Sequence, residues 1–397
     1  MIRNLRQAYN SAFTSKQYEV FLNHIYDLYS HKPKFRISET PVFIPDDFRD
    51  KLIEACEDIA DTLCQPDFKV QSEGALKAEH RVPNEDAHTT FLVVDYGICE
   101  ENGQLVPKLI ELQGFPSLYF FQHDLALAYK TYFDTPKMMT PLFGGLDTEG
   151  YYNLLQNVIV GDSKPENVVL LEIEPEKQNT LVDFLSTAKH LGITVLCLTK
   201  VIKRGKKLYY KNDKGRSIRI EKIYNRVIFD ELERRTDLTL GFHFSDALDV
   251  EWIGHPNWFF RISKYTMPFL KSKYVPNTYF LHELDPTQLD LSKFVLKPLF
   301  SFSGQGVKIN ITQADIDAVD DKTNWILQEK VQYAPILETP SGTTKVEIRM
   351  LMIWKKDWER PRLVNNLIRL SKGEMIGVRY NKDKDWVGAS VGLFNPK

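Results

Sequence analysis

In the stretch VLKPLFSFSGQGVKI, Val295 to Ile309, a lysine closes an apolar run, proline follows it, and a loop of small and amide residues leads into a second apolar segment. Lys297, set among Val295, Leu296 and Pro298, is costly to bury unless its ammonium meets an anion. Gly304 and Gly306 let the main chain approach a ligand closely, while Ser301, Ser303 and the loop amides supply donors. A loop of amides beside a fixed ammonium suits a polyphosphate. The same residues also satisfy a β-hairpin with a glycine-rich turn. Lys264, in RISKYTMPF, is a second ammonium ahead of this region, and taken alone it reads as a solvated helix charge.

LVVDYG and LIELQG carry the second constellation. Residues two apart on a strand face the same side, so Glu111 and Gln113 point together, and in a hairpin Asp95 joins them from the partner strand. Two carboxylates and an amide oxygen on one face suit a Mg2+ ion carried by ATP phosphates, or else form the polar face of a half-buried hairpin. VEIRMLMIW and NNLIRLSKG each set an arginine, Arg349 and Arg369, inside an apolar strand. Guanidinium groups there suit carboxylate, phosphate or the charge of a forming acyl phosphate. Structural ion pairs of Arg349 with Glu347 or Glu329 compete with that reading. In ILQEKVQYAP, Gln328 and Glu329 end a strand, and backbone from Glu329 to Val331 can meet an adenine edge. Asn225, Arg226, His255 and Asn257 line a substrate pocket or form a buried polar network.

These residues need particular elements to position them. Helical spacing marks the chain to about residue 65, including PDDFRDKLIEACEDIADTLC. TTFLVVDYGICEENGQLVPKLIELQG reads as two strands joined by a Glu-Glu-Asn-Gly-Gln turn, followed by a helix in SLYFFQHDLALAYKTYF. NVVLLEIE, EKQNTLVDFLSTAKHLG and ITVLCLT alternate strand, helix and strand, which predicts a parallel pair in a Rossmann-like unit. A hairpin through Asn212 to Gly215 comes next. From about Asp249 the pattern predicts a helix in RISKYTMPFLKSKY and antiparallel strands in FVLKPL, GVKINI, WILQEKV, VEIRMLMIW and LVNNLIRL. The expected division is a helical segment 1–90, a hairpin and helical region 91–150, a Rossmann-like domain 160–250 and a nucleotide-binding domain 251–397.

Bulk properties narrow the classes. The chain has 397 residues, 43% of them hydrophobic, and a net charge of -2, so no global basic field recruits nucleic acid or an anionic membrane. Cys56, Cys64, Cys99 and Cys197 show neither metal spacing nor a disulfide pattern and read as reduced thiols. With no signal-peptide core and no bilayer-length apolar run, the expectation is a cytoplasmic protein.

Taken together, these motifs resemble the circularly permuted ATP-grasp family, similar to glutathionylspermidine synthetase-like carboxylate-amine ligases. The resemblance covers roughly Phe91 to Gln122 and Trp252 to Gly377, and rests on motif order: acidic strands first, lysines and glycine-rich loop much later. It implies an α/β (α+β) fold with a Rossmann-like pre-ATP-grasp region and a helical N-terminal segment. Asp95, Glu111 and Gln113 resemble the metal-binding set, Gln113 standing where the family has asparagine. Lys264, Lys297 and the loop Ser303, Gly304, Gln305 and Gly306 resemble the phosphate-binding parts. Gln328, Glu329 and Val331 resemble the strand at the adenine, and Arg369, with Arg349, the arginines near the transferring phosphate. Val93 stands where the family's synthetase has an arginine, so glutathione is not implied. No amidase domain is expected ahead of the ligase region. The implied reaction joins a small-molecule or peptide-like carboxylate to an amine through an acyl phosphate, with ATP and Mg2+. Phosphorylation of a small-molecule hydroxyl and an inactive nucleotide-binding protein are the alternatives.

Overall fold

The structure is a computed structural model and describes residues 1–301, 304–373, 376 and 381–397. Two helices, α1 (Arg3–Ala12) and α2 (Ser15–Tyr29), open the chain, and the Thr14 side chain caps the second by accepting from the Gln17 amide. Helix α3 (Asp46–Leu63) starts after an extended Pro45 with Asp46 and Asp47 in its first turn, where carboxylates meet the positive end of the helix dipole. Its Phe48, Leu52, Cys56 and Ile59 recur at helical spacing and are buried.

A long hairpin follows, β1 (Phe91–Glu101) and β2 (Gln104–Gln113). Asn102 and Gly103 both have positive φ, 52° and 74°, the conformation that a two-residue turn between twisted strands requires. Helices α4 (Tyr119–Tyr132) and α5 (Thr148–Ile159) lead to β3 (Val168–Glu172), helix α6 (Leu181–Leu191) and β4 (Thr194–Cys197). Strands β5 (Lys222–Asn225) and β6 (Glu251–Ile253) complete a parallel sheet of order β6-β5-β3-β4. The hairpin expected through Asn212 to Gly215 lies between β4 and β5, pairing Lys207–Lys211 with Ser217–Ile220.

A short helix, α7 (Asn257–Arg261), gives way to a 3-10 turn at Lys264–Phe269. The expected single helix in RISKYTMPFLKSKY is therefore broken: Ser263 is extended and caps Tyr265, and Pro268 cannot continue the ladder. Strands β7 (Thr278–Phe280), β8 (Phe294–Pro298) and β9 (Trp325–Glu329) form a small antiparallel sheet with β9 in the centre. GVKINI is not a strand. Only Lys308 bridges to Leu296, because Gly304 and Gly306 turn the chain at φ 70° and 74° and the helix at Gln313–Asp317 begins soon after.

The last strands, β10 (Gly342–Ile353), β11 (Arg362–Ser371) and β12 (Gly388–Ser390), join the hairpin in a six-stranded antiparallel sheet of order β12-β11-β10-β1-β2, with Leu337–Thr339 pairing the start of β10. Its two faces follow the strand period. Leu92, Val94 and Tyr96 with Ile348, Met350 and Ile368 pack in one core with α3. On the other face Phe91, Val93, Leu351 and Ile353 join a second core with α5 and the parallel sheet. Farther along that same face, the period brings up Asp95, Gly97, Glu347, Arg349 and Arg369 instead. No helix among the described residues is long and apolar enough to cross a membrane.

Asn366 ties this sheet to the chain end. It donates to Pro141 O at 3.0 Å and Gly392 O at 3.1 Å and accepts from the Gly392 amide at 2.8 Å. Asn366→Ala leaves these buried groups unpaired, and urea titration is expected to show a loss on the order of 3 kcal/mol.

Candidate functional site

The polar half of the six-stranded sheet floors a cavity of about 1720 Å³. The β7–β9 sheet supplies a second wall, and the carboxyl ends of β3 and β5 contribute Glu172 and Arg226. Glu111, Gln113, Lys264, Lys297, Gly304, Gln305, Gly306, Gln328, Glu329, Val331, Arg349 and Arg369 all line it. Asp95 lies beneath the surface of that floor. Ser303 falls outside the described residues.

A row of three neighbouring strands places Arg349, Asp95 and Glu111 side by side in register. Asp95 is 1% exposed and has both oxygens engaged by arginines. Arg349 holds it with Nε and Nη2 at 2.7 Å each, and Arg369 adds Nη2 at 2.5 Å. Arg349 Nη1 also donates to Ser117 Oγ at 2.7 Å. Burial alone would raise the Asp95 carboxyl, but the two guanidinium groups hold it below the ordinary aspartate value.

The next row brings Arg369 opposite Glu347, and the two form an ion pair. Burial raises the Glu347 carboxyl, against the pull of Arg369. Tyr333 donates its hydroxyl to Glu347 at 2.5 Å. This ring fits because position 97 on β1 is glycine; a Cβ there would meet the Tyr333 ring at 2.9 Å. Glu347, Tyr333, Ser117 and Gly97 were not among the expected site residues. Glu347 alone left a signal, since it lies two residues before Arg349 and must share its face.

Lys297 is placed by a bulge. The β1–β2 register shifts between Asp95 and Tyr96, leaving Ile110 without a register partner there. Its carbonyl accepts from Lys297 Nζ at 2.9 Å, a re-aimed group of the kind bulges provide. Gln328 Oε1 accepts from the same ammonium at 2.5 Å while Gln328 Nε2 donates to Leu109 O at 3.0 Å. Burial lowers Lys297 to about 8, with Glu111 opposing and Lys264 assisting. Lys264 Nζ donates to Ser301 O at 2.6 Å and stands 3.8 Å from Glu111. Burial lowers it too, partly offset by Glu111.

The expected backbone contact at Glu329 to Val331 shrinks to its end. The Glu329 and Lys330 amides already donate to Asn277 O and Lys293 O. His255 and Asn257 take the structural alternative: they bind the carbonyls of Pro83 and Val82. Arg226 instead faces the cavity.

The expected Mg2+ set does not assemble into a resident metal site. Asp95 is engaged by guanidinium groups, Gln113 Nε2 donates to Phe115 O at 3.1 Å, and no three His, Cys, Asp or Glu side chains among the described residues gather to hold a metal ion. Hard cations need several free oxygens together. Of the two carboxylates in the set, Glu111 is the one that lines the cavity.

No family model matches the sequence, and no curated protein matches it. Among solved structures, a glutathione synthetase-like effector, GSS30, from Globodera pallida in its apo form aligns over 97% of this chain and 98% of that chain. The TM-score is 0.57 and the identity 9%. The likeness is one of fold alone: a mixed α/β chain with several sheets, similar in arrangement to that effector.

Two outcomes follow from the buried charges. Asp95→Asn strands two arginines and is expected to lose about 3 to 5 kcal/mol in urea titration. Lys297 loses its proton near 8 when folded and only near 10.4 when unfolded, so between these values the unfolded chain binds more protons. Stability relative to Lys297→Met is therefore expected to rise as pH increases from 8 to 10, read as the difference in urea midpoints.

Proposed function

We propose that this chain is an ATP-dependent carboxylate-amine ligase of the ATP-grasp kind, in its circularly permuted order. The observation that carries the reading is convergence: Glu111, Lys264, Lys297, the Gly304–Gly306 turn, Arg349 and Arg369 come from distant parts of the sequence and line one cavity. A glutathione synthetase-like fold over nearly the whole chain agrees with it. In this reading residues 91–150 and 251–397 form the permuted ATP-grasp core, and 160–250 are its Rossmann-like pre-ATP-grasp domain.

Lys297 and Lys264 neutralise phosphate oxygens, the former held at fixed aim by Ile110 O and Gln328. The Gly304–Gly306 turn offers donors to the phosphates. Val331 presents backbone to the adenine edge, and Val295 and Val307 contact the ring. Glu111 would be the carboxylate available to a Mg2+ ion brought with ATP, which would supply charge neutralisation of the phosphates. Arg369 faces the phosphoryl group that passes to the substrate carboxylate, and Arg349 keeps it company at fixed spacing through Asp95. The carboxylate oxygen attacks the γ-phosphorus and ADP leaves; an amine then displaces phosphate from the acyl phosphate. Positioning and charge stabilisation carry the rate.

The engagement of both Asp95 oxygens by arginines favours a second reading, nucleotide binding without turnover. Hydroxyl phosphorylation uses the same apparatus.

Thermal melting with ATP, GTP or no nucleotide, with and without chelator, separates these. ATP at ~100 times its dissociation constant is expected to add about 2.7 kcal/mol to wild type and nothing to Lys297→Ala. Phosphate release that needs both an acid and an amine identifies a ligase. ATP binding without any release supports the inactive reading, and an absent ATP shift removes nucleotide altogether.

A further inference from the structure

The part of the cavity lined by the parallel sheet carries charged groups that the nucleotide reading leaves without a task. Glu172 is the last residue of β3, and Arg226 directly follows β5. Leu171 and Asn225 pair in register, and the Arg226 amide donates to Leu171 O at 2.9 Å, so Glu172 and Arg226 lie one step farther along adjacent parallel strands. Such neighbours are about 4.8 Å apart at the backbone and point to the same side. They sit at the carboxyl edge of a parallel sheet, where α/β folds place ligands.

Both side chains are buried, Glu172 at 3% and Arg226 at 4% exposure, yet both line the cavity. Arg226 is unpartnered at Nε and Nη1 among the described residues. A guanidinium group so deep in a protein ordinarily has its donors satisfied. Its plane is held between Phe115 and Phe184, with 5.2 Å and 5.3 Å from Cζ to the ring centroids. Among the described residues Glu172 accepts only the Ile173 amide, at 2.7 Å. Thus, among the described residues, a fixed cation with free donors and a buried carboxyl group stand side by side without bonding to each other.

We propose that Arg226 and Glu172 form a receptor for the α-amino-acid end of a small substrate, Arg226 taking its carboxylate and Glu172 its ammonium. Adjacent strands offer the two charges at a spacing that the two ends of one α-carbon can bridge. A simple carboxylic acid would leave Glu172 unused, and a simple amine would leave Arg226 unused. The inference names a substrate class within the ligase reading; it rests on that reading for the reaction and not for the binding.

The surrounding charges give the binding a signature. Glu172 is faced by Arg226 and by Glu231 of the helix Phe229–Arg234, and Arg226 is faced in turn by Asp183 of α6. Burial lifts the Glu172 carboxyl to about 8, against the pull of Arg226, so at neutral pH it carries a proton in the free protein. A ligand ammonium favours the carboxylate and drives that proton into solvent.

Calorimetric titration of the full chain without nucleotide, against the twenty free amino acids, tests the receptor. At least one amino acid is expected to bind. Its N-acetyl derivative and its primary amide are each expected to bind about tenfold or more weakly, the loss of a hydrogen-bonded charge. Arg226→Gln should erase the penalty for the amide, and Glu172→Gln the penalty for the N-acetyl form. Arg226→Lys keeps the charge and should keep part of the preference, which guards against misfolding of the first variant. Titration at pH 7 in buffers of different ionisation heat should show release of a proton that Glu172→Gln abolishes. Failure of all twenty amino acids to bind, or discrimination unchanged in Arg226→Gln, overturns the proposal. An ATP-dependent thermal shift without amino-acid binding sinks this inference alone. Amino-acid binding without any response to ATP sinks the ligase reading alone.

Discussion

A carboxylate buried between two guanidinium groups organises the floor of the cavity. Asp95 is buried, and its charge is tolerable only because Arg349 and Arg369 surround it. The arrangement constrains all partners. It fixes the two arginines relative to each other, ties β11 to β1 across β10, and leaves Glu347 to balance Arg369 from the other side. Tyr333 then closes on Glu347, and a residue larger than glycine at position 97 would push it away. A site assembled this way holds cations at fixed spacing without bound ligand. Pre-arranged positive charge is what a polyanion or a developing acyl phosphate requires.

The lysines are arranged on a different principle. Lys297 meets a carbonyl and an amide oxygen rather than a carboxylate, so its charge is oriented but not cancelled. Burial consequently weakens its hold on the proton, and an incoming anion would restore it. Gln328 does double service, since its other end binds Leu109 O and fixes the small sheet against the hairpin. The bulge at Ile110 joins the two arrangements: it breaks the ladder for one residue, turns a carbonyl to Lys297, and keeps Glu111 in register with Asp95. The part of the cavity at Glu172 and Arg226 is built from the parallel sheet instead. One cavity thus spans two kinds of sheet, one presenting charge across its face and the other at its carboxyl edge.

Much of the fold and part of the site could be read from residue patterns. The hairpin at Phe91–Gln113 follows from period-two alternation interrupted by Asn102 and Gly103, and the parallel pair β3–β4 from strand, helix and strand spacing. Same-face placement of Glu111 with Gln113, and the strand setting of Arg349 and Arg369, are consequences of that period and need no tertiary information. Local chemistry misled in two places. Pro268 and an extended Ser263 split an expected helix, and two glycine turns prevented GVKINI from forming a strand.

What no local pattern determines is which groups use each other's charge. Asp95 and Arg369 are far apart in sequence, and whether Asp95 faces a cation or two guanidinium groups depends on β10 lying between β1 and β11. The same holds for Lys297, whose partner carbonyl exists only because a bulge on another strand exposes it. Arg226 stayed ambiguous in sequence for a matching reason: a buried network and a ligand site have the same composition. They differ in whether the donors find partners, and that is settled by packing across the sheet edge. Sequence by itself determined which side chains share a face, because strand and helix periods are local. Tertiary structure decided their pairing and burial, because Coulomb energy and desolvation depend on distances between segments that the chain order does not contain.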